Sequence, residues 1–257
     1  MKNETLEQIS RLLDIMDELR AKCPWDKKQS IESIRHLTIE EVYELSDAIL
    51  EANMDEIKKE LGDLLLHIVF YSKIASETNA FSLKDVAFSI CEKLIHRHPH
   101  IYGDVKVNDE KDVMRNWEQL KLKEGKKSVL EGVAPSMPGL LKAMRMQEKA
   151  SASGFDWEND SQVYEKVEEE LSELRAEIQQ GNKERISDEF GDLLFALVNY
   201  ARFIDVNPEE ALERTNKKFI NRFQYIEEQI LTQGKIMKQL PLTELDKYWD
   251  EAKQKGL

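Results

Sequence analysis

The chain has 257 residues, a net charge of -13 at pH 7, 34% charged and 41% hydrophobic residues, and only 10 Gly and 6 Pro. An acidic surface of this kind repels nucleic acid and anionic membranes, and the longest strongly apolar run, around Leu64 to Tyr71, is too short to span a bilayer. Cys23 and Cys91 have neither disulfide-framework nor zinc-type spacing, so a cytoplasmic protein with reduced thiols is expected.

Leu6, Ile9, Leu12, Leu13, Met16 and Leu19 recur at helical spacing and predict a first helix. It ends before Cys23-Pro24-Trp25-Asp26, because proline drives the residue ahead of it toward extended backbone. From about Ser30, Ile31, Ile34, Leu37, Glu41, Leu45 and Ala48 describe a second helix that breaks near Ala52-Asn53, with Asp55 expected to cap a third running to about Thr78. A fourth helix starts at Ser82 and stops at His98-Pro99, and a segment from about Asp109 to Glu124 carries Trp117 and Lys121. Much of the chain's Gly and Pro then gathers between Gly125 and Gly139 and marks a boundary.

Beyond that boundary the pattern starts again. Leu140 to Ala152 repeats the first helix, Gly154-Phe155-Asp156-Trp157 takes the place of the Cys-Pro-Trp-Asp loop, and two acidic helices follow. Asn207-Pro208-Glu209-Glu210 supplies a cap, a proline for the first helical position and first-turn acids. A last helix starts near Thr243 and carries Trp249. No alternating strand pattern occurs, so the fold is expected to be all-α, in two tandem units over 1–126 and 138–257 joined by a linker at 127–137.

The acidic positions carry the repeat. Glu41-x-x-Glu44 and Glu60-x-x-Asp63 return as Glu170-x-x-Glu173 and Glu189-x-x-Asp192, and Gly62-Asp63-Leu64-Leu65 returns as Gly191-Asp192-Leu193-Leu194, every residue displaced by 129 positions. Each pair at i and i+3 projects from one helix face. In an antiparallel pair, residues equidistant from the turn face each other. Glu41 opposite Asp63 and Glu44 opposite Glu60 require a turn at residue 52, and the second copy requires one at Gly181, the residue type that most readily ends a helix.

Four converging carboxylates need a counter-charge, and an all-oxygen set suits Mg²⁺, with Mn²⁺ as a substitute, which would bind a polyphosphate and activate a water. A single acidic stretch of this kind is as a rule a solvated helix face; two mirrored copies favour the metal. A di-iron site would want Glu-x-x-His, whereas His67 follows Asp63 by four positions and its counterpart is Ala196, so His67 is expected to face the core or a partner. His96, His98 and His100 straddle a helix-breaking Pro99 and read as a helix stop or a substrate-side loop.

Cations and tryptophans recur too. Lys93 and Arg97 correspond to Lys218 and Arg222, and Trp117 and Lys121 to Trp249 and Lys253. Beside a carboxylate cluster these residues suit a metal-bound phosphate chain and a stacked base; singly, each reads equally as an ion pair or a core aromatic. With no Gly-rich phosphate loop and no nucleophilic Ser or Cys motif, hydrolysis by metal-activated water remains.

Cys23-Pro24-Trp25-Asp26, Glu40-Glu41-x-x-Glu44, Glu60-x-x-Asp63, His98-Pro99-His100-Ile101-Tyr102-Gly103, Asn116-Trp117-Glu118, Gly154-Phe155-Asp156-Trp157, Glu169-Glu170-x-x-Glu173 and Glu189-Phe190-Gly191-Asp192 follow one another in this order. In these motifs, over nearly its full length, the chain resembles the two-copy form of the MazG-type nucleoside triphosphate pyrophosphohydrolases. The resemblance implies tandem helical bundles of the all-α NTP pyrophosphatase type and a homodimer. It also implies Mg²⁺-dependent cleavage of nucleoside triphosphates between the α and β phosphates, giving monophosphate and pyrophosphate, as a house-cleaning activity on the nucleotide pool.

Carried over by residue, the resemblance makes Glu170, Glu173, Glu189 and Asp192 the metal ligands of the usual catalytic copy, with Lys166, Glu169, Lys218, Arg222, Trp249 and Lys253 on the nucleotide. In the first copy Glu41, Glu44, Glu60 and Asp63 form the corresponding metal set, with Lys93, Arg97, Trp117 and Lys121 on the nucleotide side. Ser30-Ile31 after Gln29 departs from the family's usual Thr-His, and Ala21-Lys22 precedes Cys23 without the usual Gly. Those departures weigh against substrate binding by the first copy and leave its metal site untouched. Two other readings stay open: an acidic helical scaffold without enzymatic activity that binds a basic partner, and a dUTPase-like relative of narrow base specificity.

Overall fold

The computed structural model describes residues 2–107, 109, 112–113, 116 and 128–257. Most of the segment expected from Asp109 to Glu124, with Trp117 and Lys121, lies outside them. The helices are α1 (Lys2–Lys22), α2 (Arg35–Leu50), α3 (Met54–Glu77), α4 (Leu83–Arg97), the single turn α5 (Pro99–Tyr102), α6 (Gly139–Ala152), α7 (Asp160–Gln180), α8 (Lys183–Phe203), α9 (Pro208–Thr232) and α10 (Leu242–Gln254). Short 3-10 turns sit at Asp26–Lys28 and Met237–Gln239, and no strand occurs among the described residues. The fold is all-α, as the missing alternation predicts. The chain forms two compact units, Met1–Lys106 and Val107–Leu257.

In the first unit α2 and α3 pack as a hairpin, with α1 and α4 against α3. The core joins Met16 of α1, Ile34 just ahead of α2, and Val69 and Phe70 of α3, flanked by Leu12, Leu37, Leu66 and Leu83. Arg20 ties the loop after α1 to the end of α3: its guanidinium donates to both Glu77 carboxylate oxygens at 2.8 and 2.5 Å and to the carbonyls of Asp26 and Gln29.

In the second unit α7 and α8 form the matching hairpin, α6 packs on α8 and α9, and α10 packs on α9. Val163, Leu174, Val198, Ile226, Ile230 and Ala252 are buried. Lys149 of α6 donates to the carbonyl of Val129 at 2.9 Å, so a residue within the stretch expected as a linker packs in this unit. A glycine inside a helix, such as Gly191 of α8, costs about 0.5–1 kcal/mol relative to alanine. Burial of one side chain such as Val198 contributes about 1.5–3 kcal/mol, so packing carries α8 through its glycine.

Both turns fall where the acidic spacing requires them. After α2, Ala52 takes a left-handed φ of 52°, with Ala52 N–H donating to Ile49 O and Asn53 N–H to Ala48 O, both at 3.0 Å. This is a Schellman ending on an alanine. After α7, Gly181 takes φ 76° and donates to Glu177 O at 2.9 Å. The following helices are capped by Asn53, which accepts from Glu56 N–H, and by Asn182, which accepts from Glu184 and Arg185 N–H.

Two local expectations need correction. Asn53, not Asp55, caps α3, because it alone leaves the turn with extended backbone and a side-chain oxygen aimed at the first turn. The second helix begins at Arg35 and not near Ser30, because Ser30 and Ser33 bond each other's backbone N–H at 2.8 and 3.2 Å in place of helical partners.

The turn chemistry sets one expected outcome. An added methyl at Gly181 meets nothing within 4 Å, so Gly181→Ala pays backbone strain alone, about 1 kcal/mol, and Ala52→Gly returns about half of that. Denaturant melts should show opposite signs for the two; equal or reversed signs would contradict the turn assignment.

Candidate active site

Because the turns fix the register, the acidic pairs of each hairpin meet. Carboxylate oxygens of Glu170, Glu173 and Glu189 lie within 4.8 Å of one another in the second unit, as do those of Glu41, Glu60 and Asp63 in the first. Glu170 and Glu60 are buried, at 7% and 2% exposure. Of the eight predicted ligands, Asp192 and Glu44 stand outside these tight triplets yet remain close enough to act on them electrostatically. Desolvation and then the charges of Glu173, Asp192 and Glu170 hold the Glu189 carboxyl above the usual range. Desolvation followed by Asp63 and Glu44 does the same to Glu41, which also lies in hydrogen-bonding reach of Glu60.

A lysine attends each cluster. Lys166 Nζ lies 2.7 Å from Glu170 and 3.0 Å from Glu169, and its pKa is raised, chiefly by the Glu170 hydrogen bond. Lys59 stands 3.0 Å from Glu60 and 3.3 Å from Glu56. One lysine does not compensate three carboxylates, and one buried Glu60 oxygen has no partner. Hard oxygen donors at this separation, with charge uncompensated, fit a divalent cation.

The second unit adds a cavity of about 500 Å³ whose wall includes Lys166, Glu170 and Asp192, a volume within the range of small-molecule sites. Phe155, Trp157 and Phe195 line it with aromatic surface. The first two sit on the loop after α6, where Gly154 takes φ 93° and Phe155 N–H returns to Ala150 O at 3.0 Å. Between them Asp156 receives two hydrogen bonds from Arg202 of α8, at 2.8 and 2.5 Å. Burial alone would raise the Asp156 pKa; the bonds from Arg202, with others from Ser151 and the Trp157 backbone, hold it below the usual range. That charge-assisted pair anchors the aromatic loop on α8, although Phe155 itself remains 83% exposed.

The predicted nucleotide contacts separate into two places. Lys166 lines the cavity, with Glu169 bound to it. Lys218, Arg222, Trp249 and Lys253 do not line it. They lie on α9 and α10, where Arg222 donates to Leu257 O at 2.7 Å and covers the Trp249 ring at 5.4 Å, while the Phe219 ring lies 5.4 Å from that of Trp249. Lys93 and Arg97 lie on α4, and Trp117 and Lys121 fall outside the described residues. His67 is buried with its Nδ1 unpartnered, in keeping with a core position.

Sequence reasoning missed Gln147, Asn199 and Arg202 as cavity residues. Gln147 offered a signal, since it falls on the apolar stripe of α6 with Leu140 and Met144, where a polar residue must find buried partners. Asn199 and Arg202 offered none, because their role depends on a loop that is distant in sequence.

Comparison with known proteins agrees with this architecture. The MazG nucleotide pyrophosphohydrolase domain matches residues 29–102 and 159–226, one stretch in each unit. The nucleoside triphosphate pyrophosphohydrolase/pyrophosphatase MazG of Thermotoga maritima is 46% identical over 94% of both chains. The nucleoside triphosphate pyrophosphohydrolase of Escherichia coli K12 is 37% identical over 98% of this chain and 99% of its own. A crystal structure of a MazG-related protein from Thermotoga maritima aligns with 44% of this chain and 98% of its own at 26% identity and a TM-score of 0.40. Two domain matches and full-length identity at this level show that the chain belongs to the MazG nucleotide pyrophosphohydrolase family.

Proposed function

We propose that the chain is a nucleoside triphosphate pyrophosphohydrolase whose second unit carries the active site. Water attacks the α-phosphorus, the bond to the bridging oxygen breaks, and nucleoside monophosphate and pyrophosphate leave. The observation that carries this reading is the convergence of Glu170, Glu173 and Glu189 beside a cavity that Glu170, Asp192 and Lys166 help to line. Glu170, Glu173, Glu189 and Asp192 would hold Mg²⁺, or Mn²⁺ in its place, which supplies Lewis acidity and a water of lowered pKa.

Lys166, held by Glu169 and Glu170 at rest, exchanges those partners for phosphate oxygens when substrate enters. The aromatic loop clamped by Asp156 and Arg202 gives the nucleoside an apolar surface and excludes water from it. Lys218, Arg222, Trp249 and Lys253 form a separate patch on α9 and α10 that the family resemblance alone assigns to the nucleotide.

The first unit keeps the corresponding acidic set in Glu41, Glu44, Glu60 and Asp63, with bulkier neighbours at two positions. Ala196 and Asn199 of the cavity wall correspond by the repeat to His67 and Phe70, which are bulky and buried at 7% and 3% exposure. The reading therefore gives this unit a metal-holding, non-catalytic role, with Lys93, Arg97, Trp117 and Lys121 retained from an ancestral nucleotide side.

Homodimerisation is supported by one feature common to both hairpins. Leu61, Leu65 and Ile68 of α3 are exposed, and so are their counterparts Phe190, Leu194 and Leu197 of α8. Spaced i, i+4 and i+7, each set makes an apolar stripe suited to a facing helix. No described helix is long and apolar enough to cross a membrane, and the reading places the enzyme in the cytoplasm, acting on the nucleotide pool.

Pyrophosphate release from a panel of triphosphates with Mg²⁺ tests the activity. Glu170→Ala and Asp192→Ala should each lower it by at least about 100-fold, as expected for loss of groups that stabilise transition-state charge, and Glu41→Ala by much less. Undiminished release in the first two would sink the site assignment, and equal loss in all three would show that both units catalyse.

Linkage supplies a second expectation. A carboxyl whose folded pKa is raised, as in Glu189, favours the fold most below its unfolded pKa, near 4.5, and loses that contribution as pH rises through the folded value. Without metal, Glu189→Gln should therefore gain thermal stability over wild type as pH rises from 4 to 7, and added Mg²⁺ should raise the Tm of wild type by more than that of the variant, which keeps only the first unit's set. A pH-independent difference would refute it.

For the dimer, light scattering should give twice the monomer mass, with Leu194→Asp shifting the population to monomer; a monomeric wild type would exclude this arrangement.

A further inference from the structure

The cavity in the second unit carries two primary amides whose orientations are chemically forced. Gln147, 7% exposed, donates from Nε2 to the carbonyl of Phe195 at 2.8 Å. A carbonyl can only accept, so the amide cannot turn over, and Gln147 Oε1 is left buried without a partner. Asn199 accepts through Oδ1 from Arg202 Nε and Nη2 at 3.2 and 2.9 Å. A guanidinium can only donate, so this amide too is fixed, with its N–H groups as what it can offer a ligand. Phe195 and Asn199 are one helical turn apart on α8, so the amide held at the Phe195 carbonyl and the Asn199 amide lie on the same stretch of cavity wall.

An unpartnered buried acceptor is costly, and the cost falls when a ligand supplies the missing donor. Phe155, Trp157 and Phe195 offer π faces to a planar ring in the same cavity. Resting on the reading that this cavity holds the nucleoside of the substrate, we propose that Gln147 and Asn199 read the base edge. Gln147 Oε1 accepts from an N–H of the base, and the Asn199 amide donates to the neighbouring ring nitrogen or carbonyl oxygen.

All the common bases present an N–H beside an acceptor on their pairing edge, so the arrangement grips each of them and selects against rings that lack the N–H. In the first unit the repeat places Phe70, a core residue, where Asn199 stands. The base-reading wall thus belongs to the second unit.

Calorimetric titration of the full chain with Mg²⁺ tests this, using α,β-methylene analogues of adenosine triphosphate and of purine riboside triphosphate, which differ in the exocyclic amine. The adenosine analogue should bind about tenfold tighter or more, as expected when a buried acceptor is left unpaired in the other complex. In Gln147→Met, which fills the same volume without the acceptor, the adenosine analogue should weaken and the ratio should approach one.

Equal affinities in wild type overturn the assignment whatever the variant does, and so does a ratio that Gln147→Met leaves intact. Pyrophosphate release from ordinary triphosphates is measured alongside. Release with equal analogue affinities removes the base-reading role and leaves the hydrolase standing; no release together with no binding of either analogue removes both.

Discussion

The structure depends on holding like charges together. Each hairpin brings three carboxylates within 4.8 Å of one another, an arrangement that repels itself and that hydrophobic packing must sustain. Val69 and Val198, at equivalent places on α3 and α8, are 1% and 2% exposed, and the turns at Ala52 and Gly181 set the register that makes the carboxylates coincide. Desolvation first, and the neighbouring carboxylates second, hold Glu41 and Glu189 above the usual carboxylate range. A divalent cation would relieve that repulsion, so the packing that stabilises the fold also sustains the proposed metal site.

Around this shared device the two units diverge. In the second, Ala196 and Asn199 leave room beside the carboxylates, and the Asp156–Arg202 pair holds an aromatic loop at the wall of the space. In the first, His67 and Phe70 take those positions, with Phe70 joining Met16, Ile34 and Val69 in a closed core. The corresponding loop is tied differently, by Arg20 of α1 to Glu77 of α3. Both copies keep the acidic residues and draw three of them together, while two positions on one helix differ in bulk, Ala196 and Asn199 against His67 and Phe70.

Much of this was legible because helical periodicity and repeat spacing are local properties. The even displacement of the acidic residues specified both turns to within a residue, and the all-α class followed from the absence of alternation. Cap choice was less legible. Asn53 and Asp55 are equally good cap residues, and only the left-handed Ala52 ahead of it selects Asn53. The cationic candidates show a different limit: the spacing of Lys218 with Arg222 and of Trp249 with Lys253 identifies helix faces, but not what those faces meet.

By itself, then, the sequence determined the all-α class, the two acidic hairpins and the places of their turns, since hydrogen-bonded helices have a fixed rise and a fixed period. Only the tertiary structure decided which of those carboxylates border a cavity, and that Gln147, Asn199 and Arg202 share it with them. A cavity wall is assembled from α6, the loop after it, α7 and α8, and the distances among these depend on packing between segments far apart in the chain.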